Sequence, residues 1–156
     1  MKNTVIVIIL ISVGVYNYLL SDSSTYTNIA NEKQSTKKIS QSITLKNNKD
    51  IINAYKNRQS DVQVNASGKV RHILPDDNKG SKHQKFILEI TPNFTILIAH
   101  NIDLSKKLNS IKRGDSVEFF GEYEYNKKGG LVHWTHKDPK GYHVDGWLKH
   151  KGLIYE

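Results

Sequence analysis

Phe86-Ile87-Leu88-Glu89-Ile90-Thr91-Pro92-Asn93-Phe94-Thr95-Ile96-Leu97-Ile98-Ala99 is the stretch whose reading decides the fold class. Its two apolar halves are too short for helices, are rich in β-branched and aromatic residues, and flank a Pro-Asn turn signal. They predict two strands paired as a hairpin.

Working outward, the same grammar recurs on both sides. Upstream, Val62, Val64, Val70, His72 and Leu74 read as one long strand interrupted at Ser67-Gly68, where a bulge or bend is expected. Pro75-Asp76-Asp77-Asn78-Lys79-Gly80 is a loop by its turn chemistry. Downstream, residues 102–111 are expected to carry a helical turn, and Arg113-Gly114-Asp115 opens a strand in which Val117, Phe119, Gly121, Tyr123 and Tyr125 share one face. A Lys127-Lys128-Gly129-Gly130 turn leads to a strand over Leu131-Val132-His133-Trp134-Thr135, and Leu153, Ile154 and Tyr155 read as a last one. Three strands, a short helical connection and two more strands describe an all-β domain, a small OB-like five-stranded barrel over residues 61–156. An SH3-like barrel is the rival that strand counting leaves open.

The barrel is preceded by three different segments. Asp50-Ile51-Ile52-Asn53-Ala54-Tyr55-Lys56-Asn57-Arg58 places Ile51, Ile52 and Tyr55 on one side, so residues 50–60 are expected to hold a short amphipathic helix, capped by Asn48 or Asp50. Residues 21–49 are mostly Ser, Thr, Asn, Lys and Gln and read as a disordered, basic, polar tether. Residues 5–20 are apolar except for Ser12, Gly14 and Asn17 and follow Lys2, the layout of a signal peptide or an amino-terminal membrane anchor over residues 1–20. The expected address is therefore outside the cytoplasm: periplasmic, or membrane-anchored and facing outward, with the apolar segment touching membrane at least during export.

Composition narrows the chemistry. The 156 residues contain no cysteine, which excludes disulfides, thiolate metal sites, a cysteine nucleophile and a lipid-modified cysteine after the apolar run. The net charge of +8 is unevenly spread: residues 31–60 hold seven Lys/Arg against two acids, a net of +5, whereas residues 61–156 hold fifteen against twelve, a net of +3. A charge that sits mainly on a tether argues weakly for specific nucleic-acid binding. On the alternating face, Tyr123, Tyr125 and Phe119 would serve a single-strand binder beside Arg71, Lys85, Lys112 and Arg113, but the interleaved Glu118, Glu122 and Glu124 repel phosphate.

All seven histidines lie beyond residue 61, and four of them, His133, His136, His143 and His150, fall near the end. His133 and His136 would point to opposite faces of one strand, and meet one ion only if the chain bends at Thr135. His136, Asp138 and His143, with Asp145, are brought together more easily by the turn that Pro139 and Gly141 impose, and would take a divalent transition metal such as zinc. The bland alternative is that Asp138 and Asp145 build turns while the histidines bond backbone groups. A second polar group, Asp76, Asp77, His83 and Gln84 with His100 and Asn101, is the candidate ligand-binding end of the barrel. It lacks the spacing of a calcium loop. Convergence of His83, His100 and His136 would supply a histidine general base for metal-assisted hydrolysis of a phosphodiester or other anionic substrate, with His83 and His100 as the catalytic candidates. The expected partners are an anionic ligand or an envelope component. Single-stranded nucleic acid or another polyanion is the alternative.

These motifs also carry a resemblance. Leu74-Pro75-Asp76-Asp77-Asn78-Lys79-Gly80-Ser81-Lys82-His83-Gln84-Lys85-Phe86, Ala99-His100-Asn101-Ile102-Asp103-Leu104, Gly121-Glu122-Tyr123-Glu124, Gly129-Gly130, and His133-Trp134-Thr135-His136 through Gly146-Trp147 resemble an uncharacterised bacterial family of short exported proteins, classed as a domain of unknown function. The likeness spans about residues 50–156. It implies a bacterial envelope protein and supplies no activity.

Overall fold

The computed structural model describes residues 32–36 and 48–156. The expected export segment and most of the tether lie outside the described residues. The chain divides into two compact units, residues 1–43 and residues 44–156. In the first, residues 32–36 are helical, with the Ser35 and Thr36 hydroxyls donating to the Glu32 carbonyl. No helix among the described residues is long and apolar enough to cross a membrane.

The second unit opens with helix α1, Lys49–Lys56, followed by strands β1 (Val62–Ile73), β2 (His83–Thr91), β3 (Phe94–Asn101), β4 (Ser116–Glu124), β5 (Leu131–His133), β6 (Trp147–His150) and β7 (Leu153–Tyr155). β2 and β3 form the expected hairpin around Pro92 and Asn93. The sheet runs β1-β2-β3-β5-β4-β6-β7, and an additional antiparallel pairing of β1 with β4 closes it. β3 and β5 are parallel. The result is a closed five-stranded β-barrel, extended along β4 by the β6–β7 hairpin.

Alternation places Phe86, Leu88, Ile96, Ile98, Val117, Phe119 and Tyr123 inside, each with at most 1% of its surface exposed. Burial of each large apolar side chain contributes about 1.5–3 kcal/mol before entropy is counted. The two ends are closed by different elements. At the end holding the β2–β3 turn, α1 buries Ile51 and Ala54 and stacks Tyr55 on Phe94 with ring centroids 4.8 Å apart. At the other end Leu108, on the β3–β4 connection, is fully buried and held by two hydrogen bonds to the Gln84 amide.

The expected turn after β3 is present as one helix-like hydrogen bond, from the Ser105 N–H to the Asn101 carbonyl, and extends to no longer helix. Four local expectations change. β1 is continuous through Ser67 and Gly68, and its register shift falls between Val70 and His72. Asn48 occupies the position before α1 without capping it, because its side chain is spent on the Ser67 backbone N–H and carbonyl. The helix itself ends at Lys56, and Arg58 follows with φ 55°. The fourth expectation, the strand after the Gly129-Gly130 turn, decides where the candidate site lies.

Candidate functional site

That strand stops at His133 rather than Thr135. Glu124, Tyr123 and Glu122 of β4 pair with Leu131, Val132 and His133, and Phe120 to Val117 then pair with Trp147 to His150. β5 and β6 are thus two pieces of one barrel strand, and residues 134–146 leave and re-enter it across a single position of β4. Trp134 makes the exit with φ 50°. At the re-entry the Gly146 N–H donates to the His136 carbonyl at 2.9 Å. A Cβ at residue 146 would stand 1.9 Å from the Trp134 carbonyl oxygen and 2.7 Å from that of Phe120, so only glycine fits this neck.

Inside the everted loop Asp138 is the organiser. Its carboxylate accepts from the backbone N–H groups of Lys140 (3.0 Å), Tyr142 (2.7 Å) and His143 (2.9 Å), while its own N–H donates to Asp145 Oδ1 at 2.8 Å. The bond from Lys140, followed by those from His143 and Tyr142, holds the Asp138 carboxyl below its ordinary 3.8 against the opposing effect of burial. Because the folded value is depressed, this contribution is present above pH 3.8 and is lost as the pH falls through the lowered value. Asp138→Ala is expected to strip exchange protection from the amides of Lys140, Tyr142 and His143 while the barrel amides stay protected. Hydrogen exchange followed by NMR checks this, and unchanged loop protection would refute it.

The loop folds His143 back onto the barrel. Even-numbered residues of β4 face outward, placing Glu118, Phe120, Glu122 and Glu124 in a row, with His133 directly opposite Glu122 and Trp147 opposite Phe120. His143 lies flat on Trp134, ring centroids 4.1 Å apart and planes 6° apart. Its Nε2–H donates to Glu122 Oε2 at 2.8 Å and its Nδ1–H to the Val144 carbonyl at 2.9 Å. Both partners are acceptors, an arrangement that favours the imidazolium form. Burial acts to lower its pKa, but the Glu122 bond, the Val144 carbonyl and the charges of Glu122 and Asp138 raise it above 6.5.

His133 Nε2 stands 3.3 Å from Glu122 Oε1 and 3.8 Å from Glu124 Oε1. It is shielded from solvent and makes no hydrogen bond. Donor atoms of Glu122, Glu124 and His133 all lie within 4.8 Å of one another.

The other expected site residues are spent on the fold. Asp138 has its oxygens filled by backbone donors, and His143 turns to Glu122, so the expected set His136, Asp138 and His143 does not assemble as one ligand group. His136 is buried, with its Nδ1–H donating to the Lys137 carbonyl at 2.7 Å and its ring 5.4 Å from that of Trp134. His100 is fully buried; the Thr135 hydroxyl donates to its Nδ1 at 2.9 Å, and its Nε2–H donates to the Lys106 carbonyl at 3.3 Å. Burial first, then the fields of His136 and His83, push it down to about 4 despite the opposing bonds from Lys106 and Thr135. Both His100 ring nitrogens are thus engaged, and it has none free with which to move a proton. Gln84 clamps Leu108. His83 Nδ1–H donates to the Ser81 carbonyl at 2.8 Å, and its backbone exchanges two bonds with Asp77 at 2.9 Å. Asp76 pairs with Lys107, Asp77 lies 3.5 Å from Lys85, and Asn101 Oδ1 accepts from the Asp103 N–H at 2.9 Å.

Sequence reading grouped His143 with His136 and Asp138 and did not join it to Glu122, nor Glu122, Glu124 and His133 into one cluster. The available signal was the Gly129-Gly130 turn, which fixes the β4–β5 register and so sets His133 opposite Glu122.

No curated protein matches this chain. The model of one family matches residues 34–156, and the chain belongs to that family, described as "Protein of unknown function (DUF3465)".

Proposed function

We propose that this is an exported bacterial envelope domain that binds its ligand on the outer face of β4, β5 and β6, beside the everted loop, and that the ligand is a neutral, polyhydroxylated molecule such as an envelope glycan. The observation that carries the reading is one surface row: Phe120 and Trp147 with ring centroids 6.4 Å apart, continued by Glu122 and Glu124. Aromatic rings offer apolar faces to sugar C–H groups, and carboxylates accept from hydroxyls. No lysine or arginine lies within ion-pair reach of Glu122 or Glu124 among the described residues, which disfavours phosphate. The apolar run at residues 5–20 supports the envelope address.

The chain has two tryptophans, Trp134 and Trp147, and both stand at this face, so intrinsic fluorescence reports it without a label. Soluble neutral N-acetylglucosamine oligomers titrated into the full chain are expected to give a saturable change that Phe120→Ala weakens. No change with these oligomers would overturn the ligand class. Salt-sensitive quenching by an oligo-dT would replace it with nucleic-acid binding.

A further inference from the structure

Resting on that reading of the face, we propose that His133 Nε2, Glu122 Oε1 and Glu124 Oε1 form a binding site for one divalent first-row transition-metal ion, with zinc the preferred occupant, and that the ion joins ligand hydroxyls to the protein. The barrel constructs this group: Glu122 and Glu124 are two apart on β4 and share its outer face, and β5 delivers His133 to the position opposite Glu122. Their donor atoms lie within 4.8 Å of one another, close to the spacing of about 3.3–3.6 Å that ligands each about 2.0–2.2 Å from one tetrahedral zinc ion adopt.

His133 Nε2 is the strongest pointer. A shielded ring nitrogen without a hydrogen-bond partner is costly, and two carboxylate oxygens at 3.3 and 3.8 Å leave it unsatisfied. A cation between the three groups satisfies the nitrogen lone pair and offsets the repulsion of the two carboxylates together. One imidazole and two carboxylates suit zinc and its first-row neighbours and fit the soft-metal thiolate class not at all.

His143 has a different task. Its Nε2–H is already committed to Glu122 Oε2, whereas His133 stands beside Oε1, so His143 acts through Glu122. It is a positioning residue, held flat by Trp134 and fixed by the loop that Asp138 organises. Three protein donors leave coordination positions open to water or to ligand oxygens, as in metal sites that exchange their ligands.

The test uses the full chain purified without chelator, with metal content read by elemental mass spectrometry. Zinc sulfate is then titrated into protein stripped by dialysis, followed by calorimetry and by intrinsic tryptophan fluorescence. One equivalent is expected, with His133→Ala and Glu124→Gln each abolishing saturable binding. His143→Phe keeps the stack on Trp134 but loses the bond to Glu122, and is expected to weaken binding about 10- to 100-fold. His72→Ala, at an exposed histidine on β1, is expected to change nothing. Cobalt(II) loading gives a second readout, visible absorption bands that require His133. Thermal melts check that each variant folds. Absence of binding, or binding equal in wild type and a folded His133→Ala, would overturn the metal site. Glycan binding that persists in stripped protein would refute the bridging role and leave the proposed function standing, whereas metal binding without any glycan affinity would do the reverse.

Discussion

Gly130→Ala is expected to destabilise the barrel by about 3–5 kcal/mol, a large share of the roughly 5–15 kcal/mol that holds a domain together. Residue 130 has φ 101°, where an L side chain is strained. Its Cβ would also sit 2.2 Å from Cε2 and 2.4 Å from the hydroxyl oxygen of Tyr123. That ring has nowhere to go: Tyr123 is fully buried and its hydroxyl donates to the Gly129 carbonyl at 2.9 Å. The Gly130 carbonyl in turn accepts from the Leu97 N–H at 3.0 Å, so a displaced turn also loosens the parallel joint between β3 and β5. Urea unfolding measures the effect. A loss below about 1 kcal/mol, within the usual range of surface substitutions, would mean that the turn relaxes freely.

The second large effect is loss of stability in acid through His100. Its folded value, about 4, lies below the ordinary 6.5, so the unfolded chain takes up the proton first. Stability is therefore intact above pH 6.5 and declines as the pH falls towards 4, by about 1.4 kcal/mol per unit and about 3 kcal/mol in all. The physical event is the failure of a closed end: a protonated ring can no longer accept the Thr135 hydroxyl bond, and the charge is stranded in a buried site. His100→Gln removes the titration whatever its own cost, so its stability is expected to fall less steeply between pH 6.5 and 4. Equal slopes for variant and wild type would place the acid sensitivity elsewhere.

The barrel was legible because its strands announce themselves by alternation. The run 86–99 and the face Val117, Phe119, Gly121, Tyr123 report which side is buried, and the period of two leaves no other reading. What alternation does not report is partnership. Nothing local in Trp147-Leu148-Lys149-His150 says that it resumes the strand abandoned at His133, because that fact lives in pairing with β4. The candidate site was hidden for the same reason. Glu122 and Glu124 were visible as an outward acidic pair and His143 as part of a histidine-rich loop, but only the register joins them. Proximity in sequence misled in the opposite direction: Asp138 and His143 lie five residues apart and do touch, through a backbone N–H to a carboxylate rather than through the imidazole.

The everted loop has a consequence for how such a protein can change over evolutionary time. The strand leaves β4 at Glu122 and returns at Phe120 in phase, with inward and outward positions preserved on both sides of the gap. An excursion that closes on itself with no shift of phase behaves as a cassette: it can be lengthened, shortened or exchanged without rephasing a single core side chain, provided that the exit geometry of Trp134, the buried Thr135 and His136 and the bare backbone of Gly146 are kept. Recognition is thereby uncoupled from foldability, and new specificities can be tried on this scaffold at little risk to the barrel that carries them.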